Sequence, residues 1–354
     1  MTPELQAVRA GAHTDAPPWR IAVVIPCYRV RATILDAIGA IGPECASILV
    51  VDDGCPEKSG AVVEGECTDP RVRVLYHEVN RGVGAAVITG YKAALEKGAN
   101  VIVKIDGDGQ MDPADLPRLI APILQGEADY TKGNRFFSLA RIHRMPRARL
   151  IGNIGLSFIT KLSSGYWDIF DPTNGYTAIH ASVAALLPLD RVAAGYFFES
   201  DMLHHLGLVG AVVRDVPIDA RYGNEQSSMR LQSVFAHFSI RHARNTLRRL
   251  FYNYFLRDFS AASVELVLGS ALLTFGVVFG GLEWARWQSR GVGAYAGTVM
   301  LAALPVIVGM QLLLAFLNFD VSRVPRTPPH PQLLRRHGVE RLIQRQPRSS
   351  EWAS

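Results

Sequence analysis

The sequence has few charged residues, few cysteines and no surface typical of nucleic-acid binding. Charged side chains make up 19% of the 354 residues, below the roughly 25% of an average soluble protein. The four cysteines all lie in the first 70 residues, at intervals of 18, 10 and 12 that match no zinc-binding pattern. We therefore expect free thiols in a reducing compartment. The first 225 residues carry no basic stripe interleaved with aromatic residues, so no nucleic-acid partner is expected.

Length and hydrophobicity predict more than one folded unit. Hydrophobic residues make up 49% of the chain, which excludes disorder of the whole protein. A chain of 354 residues is long enough for two domains at roughly 100–200 residues each. The formal net charge of +5 is modest, so it matters only where the basic residues are concentrated.

Two stretches near the C-terminus are long enough and apolar enough to cross a membrane. Residues 261–282 contain one charge, Glu265, and residues 291–319 contain none. A helix over the first stretch is about 33 Å long, and the hydrocarbon core of a membrane is about 30 Å thick. We expect two transmembrane helices joined by a turn over residues 283–290, with tilt or a kink at Pro305 absorbing the excess length of the second.

Arginines predict the orientation of these helices. Six arginines lie in residues 229–258 and seven in residues 321–354, whereas the turn holds two. Because cytoplasmic flanks carry an excess of Lys and Arg, we expect a multi-pass protein of the inner (cytoplasmic) membrane with both termini and the N-terminal domain in the cytoplasm.

Residues 240–256 are predicted to form an amphipathic helix on the membrane surface. Leu247, Leu250, Phe251, Tyr254 and Phe255 recur at helical spacing, with arginines beside them. Such a helix is expected to lie on an anionic leaflet. The alternative is an ordinary solvated helix that packs on the domain.

Short apolar runs alternate with helical patterns from residue 21 onward. The apolar runs are Ile21–Ile25, Ile48–Val51, Val72–Leu75 and Val101–Ile105, and the helical patterns include Thr33–Ile41, Gly84–Lys97 and Leu116–Leu124. This alternation predicts βαβ units and a mostly parallel sheet. Sites in such sheets lie at the carboxyl ends of the strands.

The fourth apolar run ends in a cluster of oxygen-bearing side chains. Asp106, Asp108 and Gln110 follow it at alternate positions, separated by two glycines that relax the backbone. Oxygen ligands of this kind suit Mg²⁺ or Mn²⁺. A calcium EF-hand loop is excluded, because its sixth position is Met111 and its twelfth is Pro117. The alternative is an Asx-rich turn that closes the strand.

A second acidic pair, Asp52 and Asp53, follows another strand. Two buried carboxylates cannot both lack partners, so at least one is expected to meet ligand hydroxyls, ring N–H groups or water, as a nucleotide would supply. Guanidinium groups bind phosphate oxygens bidentately. The arginines expected to contact phosphates are Arg135, Arg147, Arg149 and Arg221.

Seven motifs in order resemble the inverting glycosyltransferases of family 2, which have the GT-A fold, and among them the polyprenyl-phosphate glycosyltransferases akin to dolichyl-phosphate mannose synthase. The motifs are Val24-Ile25-Pro26-Cys27-Tyr28, Val51-Asp52-Asp53-Gly54, Asn80-Arg81-Gly82-Val83-Gly84, Asp106-Gly107-Asp108-Gly109-Gln110, Gly133-Asn134-Arg135-Phe136, Asp171-Pro172-Thr173-Asn174-Gly175-Tyr176 and Arg221-Tyr222-Gly223. The resemblance runs from about residue 21 to residue 226. Each motif alone is weak, but their order is specific.

The resemblance implies a division of roles along the site. The residues implied to bind the nucleotide sugar are Pro26, Tyr28, Asp52, Asp53, Asp106 and Arg221. A Mg²⁺ or Mn²⁺ ion is implied on Asp106, Asp108 and Gln110. The acceptor side is implied near Asp171, with Arg135 and Arg149 against the acceptor phosphate. Asp171 and Arg135 are the expected catalytic residues.

Three departures from the family pattern are visible. Arg29-Val30-Arg31 follows Tyr28 where the family usually has Asn then Glu, and Asn134 replaces the usual Ser. The last motif is longer than the common Gly-x-Ser-Lys and lacks its lysine, so Arg221 is the expected substitute.

These observations predict an α/β chain with a GT-A domain, juxtamembrane helices and a transmembrane hairpin. The expected units are a disordered lead over 1–19, the GT-A domain over 20–228, amphipathic juxtamembrane helices over 229–258, two membrane helices within 259–319 and a basic cytoplasmic tail over 320–354. The expected function is metal-dependent transfer of one sugar from a UDP- or GDP-sugar to a polyprenyl phosphate, with inversion.

Three alternatives remain open at this point. The acceptor could be the hydroxyl of a glycolipid or of diacylglycerol, which needs a general base. The chain could also be a non-enzymatic, membrane-anchored nucleotide-sugar binding module, or a two-span transporter subunit with a regulatory domain. The partners expected under the main reading are the nucleotide sugar, the lipid acceptor and the membrane, and a homo-oligomer is compatible with it.

Overall fold

The computed structural model describes residues 19–137, 147–218 and 231–337. Most of the expected lead over 1–19 and the later part of the expected tail over 320–354 lie outside these residues, as does Arg221.

Seven strands form a single sheet in the N-terminal part of the chain. They are β1 (Ile21–Cys27), β2 (Cys45–Asp53), β3 (Val72–His77), β4 (Val101–Lys104), β5 (Tyr130–Asn134), β6 (Thr177–His180) and β7 (Val213–Pro217). Their order across the sheet is β3-β2-β1-β4-β6-β5-β7. Six strands are parallel to one another, and β6 is antiparallel to its neighbours β4 and β5. The expected mostly parallel α/β sheet is therefore confirmed.

Both faces of the sheet are buried, which explains the continuous apolar runs. In β1, Val24 points into one hydrophobic cluster, and its neighbours Val23 and Ile25 point into the other. All three side chains are fully buried. Strands that are covered by helices on both faces have sequences with unbroken runs of Val and Ile, because neither face needs polar residues.

Helices connect and cover the strands. Those of the α/β part are α1 (Ile34–Gly39), α2 (Ser59–Glu66), α3 (Val83–Glu96), α4 (Leu116–Leu124), α5 (Arg147–Ser164), α6 (Ala181–Ala184) and α7 (Phe198–Val209). Those that follow β7 are α8 (Leu231–Phe251), α9 (Ala261–Arg290), α10 (Ala296–Ser322) and α11 (His330–His337). Short 3-10 turns lie at Pro113–Asp115, Arg135–Phe137 and Leu189–Arg191, and a π-helical segment follows α8 at Tyr252–Leu256.

The two long helices α9 and α10 are each long and apolar enough to cross a membrane, with mean hydropathies of 1.9 and 2.4 over their most apolar windows. The turn expected over 283–290 is wrong, because these residues continue α9 to Arg290. The charged and aromatic residues between 283 and 290 are compatible with a continuing helix. The helix ends at Gly291, whose φ of 65° lies in the left-handed region that favours glycine.

Glycines allow α9 and α10 to pack closely. A Cβ atom on Gly276 would lie 2.7 Å from the carbonyl oxygen of Ala302, and one on Gly309 would lie 2.7 Å from the backbone nitrogen of Leu273. Close backbone contact through small residues is the usual way in which helices associate in lipid, where apolar surface gains nothing from burial against apolar surface.

The apolar residues expected on one face of the juxtamembrane helix are divided between two environments. Leu247 and Phe251 are exposed, with 69% and 57% of their surface accessible. Tyr254 is buried instead and makes an edge contact with Phe316 of α10, with ring centroids 4.9 Å apart. The π-helical segment rotates Tyr254 toward the long helices, so this segment joins α8 to the hairpin.

The chain returns to the sheet after α10. His330, at the start of α11, is buried, and its Nδ1 lies 2.8 Å from Oδ1 of Asp129, just before β5. Its ring stacks on that of His180 at the end of β6, with centroids 4.3 Å apart. The segment beyond the two apolar helices is therefore fixed to the α/β part of the chain.

Candidate active site

The carboxyl ends of β1, β2 and β4 meet at one edge of the sheet, because these neighbouring strands are parallel. This edge carries Tyr28 just after β1, Asp52 and Asp53 at the end of β2, and Asp106 just after β4. The structure thus brings the acidic residues expected from the sequence to the same edge. Switch points of open α/β sheets lie at such edges.

Asp52 is buried and bonds to the backbone of its own loop. Its Oδ1 accepts a hydrogen bond from Cys55 N, and its Oδ2 accepts one from Gly60 N at the start of α2, each at 2.7 Å. A Cβ atom on Gly60 would lie 2.7 Å from Asp52 Oδ2, so glycine is needed for this approach. The burial of Asp52 therefore does not by itself require a ligand or water, because the chain supplies partners for both of its oxygens.

Asp53 is also satisfied by this chain. Its Oδ1 accepts from Arg81 N at 2.9 Å and lies 2.7 Å from His77 Nδ1, and its Oδ2 accepts from Gly82 N at 2.8 Å. Gly82 has a φ of 96°, and a Cβ atom there would lie 2.6 Å from the carbonyl oxygen of Ala194. Asp53 thus fixes the glycine-containing turn between β3 and α3.

A buried lysine lies behind Asp106. Lys104 is 1% exposed, and its Nζ lies 2.9 Å from Asp106 Oδ1 and 3.0 Å from Glu199 Oε1 on α7. Burial alone lowers the pKa of an amine, but the two carboxylates outweigh it and raise the pKa of Lys104 above its usual value. Lys104 remains charged and couples the candidate metal-binding turn to α7. Sequence reasoning missed this role, although a lysine within a buried strand was a visible signal.

The turn after β4 offers oxygen ligands to a cation. Asp106 and Asp108 are partly exposed, and Asp108 Oδ1 accepts a hydrogen bond from Gln110 N at 3.0 Å. Gly109 has a φ of 75°, which allows the tight turn. In the described ranges, no three His, Cys, Asp or Glu side chains group closely enough to hold a metal. Two carboxylates still fit Mg²⁺, which is often held by one or two carboxylates together with substrate phosphates and water.

The loop that begins at Asp171 packs directly on this turn. A Cβ atom on Gly175 would lie 2.3 Å from Lys104 Nζ and 2.7 Å from Asp106 Oδ2. Glycine at this position therefore leaves the space in which Lys104 and Asp106 form their ion pair. The donor-side and acceptor-side motifs expected from the sequence are neighbours in the structure.

Arg135 and Asp171 form a bidentate ion pair. Arg135 Nε lies 2.7 Å from Asp171 Oδ2, and Nη2 lies 2.8 Å from Oδ1. Asp171 is 2% exposed. Burial alone would raise the pKa of Asp171, but the Arg135 guanidinium, with Lys132 nearby, holds it below its usual range. Asp171 is therefore an ionised partner of a cation and a weak base.

A second buried layer supports this pair. Asp171 has a φ of 53°, an uncommon conformation that Asp tolerates better than most residues. Lys132 Nζ donates to the backbone oxygens of Phe170 and Asp171 and lies 3.4 Å from Asp215 Oδ1. Asn134 Nδ2 donates to Asp215 Oδ2 at 2.7 Å. Burial raises the pKa of Asp215, although its lysine and amide partners oppose this. Lys132 and Asp215 were not singled out from the sequence, and Asn134 was noted there only as a departure from the family motif.

The remaining expected site residues lie in different parts of the chain, and the structure does not describe all of them. Pro26 is the penultimate residue of β1, and Tyr28 after it is 39% exposed with the Arg29 guanidinium 5.4 Å from its ring centroid. Arg149 lies in α5, and Arg221 lies outside the described residues. An exposed aromatic ring at this edge has room to stack on a planar ligand.

The chain belongs to glycosyl transferase family 2, whose family model matches residues 22–186. The UDP-N-acetylglucosamine--dolichyl-phosphate N-acetylglucosaminyltransferase of Methanococcus voltae is 30% identical over 234 residues, which cover 62% of this chain and 92% of that protein. The polyprenol monophosphomannose synthase of Mycolicibacterium smegmatis is 33% identical over 210 residues, 58% of this chain and 78% of that protein.

A solved structure supports the fold. Glucosyl-3-phosphoglycerate synthase from Mycobacterium tuberculosis, in complex with phosphoglyceric acid, superimposes with a TM-score of 0.51 and 22% identity, covering 70% of this chain and 82% of that one. The GT-A fold expected from the motifs is confirmed. The protein is an enzyme, a glycosyltransferase, as its family indicates.

Proposed function

We propose that this glycosyltransferase moves one hexose from a UDP- or GDP-sugar to a polyprenyl phosphate, such as undecaprenyl or dolichyl phosphate, with inversion at the anomeric carbon. The observation that carries the proposal is the bidentate pair of Arg135 and Asp171 beside the Asp106 turn. The names of two relatives agree with it, since one specifies dolichyl phosphate and the other polyprenol.

The donor binds, in this proposal, at the ends of β1, β2 and β4. Pro26, Tyr28, Asp52 and Asp53 surround the nucleotide, and Arg221 contacts a donor phosphate. Asp52 and Asp53 already accept backbone hydrogen bonds, but a carboxylate oxygen has two lone pairs and accepts a further donor without losing the first.

Asp106, Asp108 and Gln110 are the residues that would hold Mg²⁺ or Mn²⁺ near the diphosphate. Such an ion, when bound, offsets the negative charge that develops on the departing nucleoside diphosphate. Lys104 orients Asp106, because its ammonium bonds to Oδ1 of that carboxylate.

The acceptor end is suited to a nucleophile that is already charged. A phosphate monoester has a second pKa near 6 and is largely a dianion at neutral pH, so its oxygen attacks the anomeric carbon without losing a proton. The bond that breaks joins that carbon to the diphosphate. Arg135 and Arg149 bind the acceptor phosphate, and Asp171 orients Arg135. A hydroxyl acceptor would need a base, and a carboxylate held in a bidentate pair is poorly suited to that task.

The apolar helices α9 and α10 anchor the enzyme in the cytoplasmic membrane in this proposal. The catalytic domain and both termini lie on the cytoplasmic side, as the arginines flanking the hairpin indicate. The exposed Leu247 and Phe251 of α8 then contact the leaflet. This arrangement keeps the catalytic domain beside the surface where a lipid phosphate is presented.

A panel assay tests the proposal. The purified full chain is incubated with radiolabelled UDP- and GDP-sugars, Mg²⁺, and either undecaprenyl phosphate or diacylglycerol as the acceptor. We expect transfer to undecaprenyl phosphate and an inverted anomeric configuration in the product. Transfer to diacylglycerol alone would replace the acceptor assignment, and binding of nucleotide sugars without transfer to either lipid would indicate a binding module.

A further inference from the structure

A cavity of about 230 Å³ lies where the α/β domain meets the two apolar helices. We call it the juxtamembrane cleft. Residues from four parts of the chain line it, among them Gly165, Gly210, Asn253, Arg249, Arg257 and Arg323. No residue of the Asp106 turn or of the Arg135 and Asp171 pair is among its lining residues in the described part of the chain. The cleft is therefore separate from the candidate active site.

One of its three arginines is neutralised within the protein. Arg249 Nη1 lies 2.6 Å from Asp320 Oδ1, and Nη2 lies 3.0 Å from Oδ2. Asp320 also accepts hydrogen bonds from the Tyr254 hydroxyl at 2.6 Å and from Trp167 Nε1 at 2.9 Å. This buried network forms the fixed floor of the cleft and adds no net charge.

Of the other two arginines, Arg257 gives the cleft an excess positive charge, and Arg323 is held only by an exposed ion pair. Arg257 is exposed and donates one long hydrogen bond, 3.4 Å, to the backbone oxygen of Leu208. Within the described residues it has no carboxylate partner. Arg323 lies 3.0 Å from Asp258, in a pair whose two side chains are 38% and 45% exposed. Such an exposed pair is weak, so Arg323 is able to turn to an anion.

One further feature indicates a ligand. Asn253 Oδ1 is buried in the cleft wall and has no hydrogen-bond partner among the described residues. A ligand that accepts from arginines and donates to an amide oxygen satisfies these groups together.

The surroundings favour a lipid over a free anion. Phe251, Leu256 and Phe259 belong to the same segment as Arg257 and are 57%, 65% and 69% exposed. Aromatic and aliphatic side chains of this kind lie at the level of lipid headgroups and contact acyl chains. The segment thus presents cations to the cleft and apolar side chains beside them.

We propose that the juxtamembrane cleft binds the headgroup phosphate of an anionic phospholipid, through Arg257 and Arg323, with Asn253 accepting a hydrogen bond from a headgroup hydroxyl. The inference rests on the membrane insertion included in the proposed function. It assigns to the cleft a lipid that anchors and orients the domain and is not consumed by sugar transfer.

Native mass spectrometry of the full chain in detergent tests this site. The probe is phosphatidylglycerol, which carries both a phosphate and headgroup hydroxyls, and the test variant is R257Q/R323Q. We expect its phosphatidylglycerol affinity to fall at least about tenfold, because hydrogen bonds to charged groups are lost. The matched control is R244Q/R248Q, which removes two charges from exposed arginines of α8 that are not among the cleft's lining residues, and it is expected to bind within about twofold of wild type.

Three outcomes would overturn the inference. The first is an equal loss of affinity in the test and control variants, which would indicate general attraction between charges. The second is unchanged phosphatidylglycerol binding by the test variant. The third is a test variant that loses binding of undecaprenyl phosphate and keeps binding of phosphatidylglycerol. Sugar transfer by the wild-type chain is measured in the same preparation. A lack of transfer with intact phosphatidylglycerol binding would then count against the proposed function and leave the lipid site standing.

Discussion

Arg135 and Asp171 hold each other in a bidentate ion pair, with contacts of 2.7 and 2.8 Å between residues that are 36 positions apart. A change in either residue therefore changes the charge environment of the other. Comparing Arg135→Ala with Asp171→Asn does not by itself separate phosphate binding from proton abstraction. Arg135→Ala leaves a buried carboxylate without its bidentate cation, and Asp171→Asn leaves the partly exposed Arg135 without its carboxylate.

A double-mutant cycle resolves this coupling. We expect Arg135→Ala to reduce kcat/KM for undecaprenyl phosphate more than Asp171→Asn, and the double variant to lose about 0.5–3 kcal/mol less than the sum of the single losses. The measurement is kcat/KM for the lipid at fixed donor and Mg²⁺. Arg118→Ala, on an arginine that is 61% exposed, serves as the control. An inactive Asp171→Asn enzyme, a normal Arg135→Ala enzyme and no coupling between the two changes would together indicate a hydroxyl acceptor.

The same pair predicts a change in acid stability. Because Arg135 lowers the pKa of Asp171, the pair stabilises the fold at pH values above the usual aspartate range, and this contribution is lost as the pH falls through the lowered pKa. In Arg135→Ala, burial is opposed less and the pKa of Asp171 rises. We therefore expect the acid unfolding midpoint of this variant to move to higher pH. An unchanged midpoint in pH-dependent fluorescence would show that the pair does not control acid stability.

The proposed metal ligands predict a loss of transfer that is specific to one carboxylate. Asp108→Asn preserves size but removes a negative charge, and activity is expected to fall by about 10² or more, since a catalytic metal supplies several kcal/mol. EDTA is expected to have the same effect reversibly. The matched control is Asp112→Asn in the same loop, where Asn keeps the side-chain cap to Ala114 N. Full activity of Asp108→Asn, or in chelator, would contradict metal dependence.

Replacing the buried Lys104 is expected to lower the free energy of unfolding much more than replacing an exposed lysine. Lys104→Met leaves the carboxylates of Asp106 and Glu199 without their shared cation and is expected to destabilise the chain by about 3–5 kcal/mol. Lys92→Met removes an exposed ion pair with Asp190, so its expected loss is at most about 1 kcal/mol. Denaturant unfolding of the purified full chain compares the two. Equal losses would mean that Lys104 contributes only as a surface lysine does.

The topology prediction places residues on opposite sides of the membrane. Single cysteines introduced at Gly11 and Arg345 are expected to be protected from an impermeant thiol reagent in intact cells, and a cysteine at Gln288 is expected to react, because arginines cluster before α9 and after α10. Permeabilised cells provide the control for reactivity at all three sites. Labelling at Arg345 in intact cells would place the tail outside.

The strands and helices that follow simple patterns were predictable from the sequence. Four apolar runs became β1 to β4, and the pattern over Leu116–Leu124 became α4 with the same limits. Strand β5 was not identified, because Tyr130–Asn134 contains Lys132 and Asn134, whose partners come from distant parts of the chain. A hydrophobic pattern predicts which residues are buried, but it does not predict which charged group will pair with a buried polar side chain.

The contacts within the candidate active site could not be predicted for the same reason. The residue types and their order identified the acidic turn and the arginine, but the partners of Asp52 and Asp53 are backbone N–H groups supplied by loops at Gly60 and Gly82. Those contacts exist only after the chain has folded, because a carboxylate in a sequence carries no record of which loop will approach it. The ion pair of Arg135 and Asp171 was missed for the same reason.

The contact between Asp129 and His330 constrains the order in which the protein can be made. The two residues are 201 positions apart, and the two long apolar helices lie between them. During synthesis, His330 leaves the ribosome only after both helices, so this contact closes last. Until then Asp129 and His180 lack only their contacts with His330, since Asp129 Oδ2 accepts from Val212 N and His180 Nδ1 contacts Ser182 Oγ. The α/β part of the chain is thus completed only after α9 and α10 have been made, and a chain that stops before residue 330 lacks this contact.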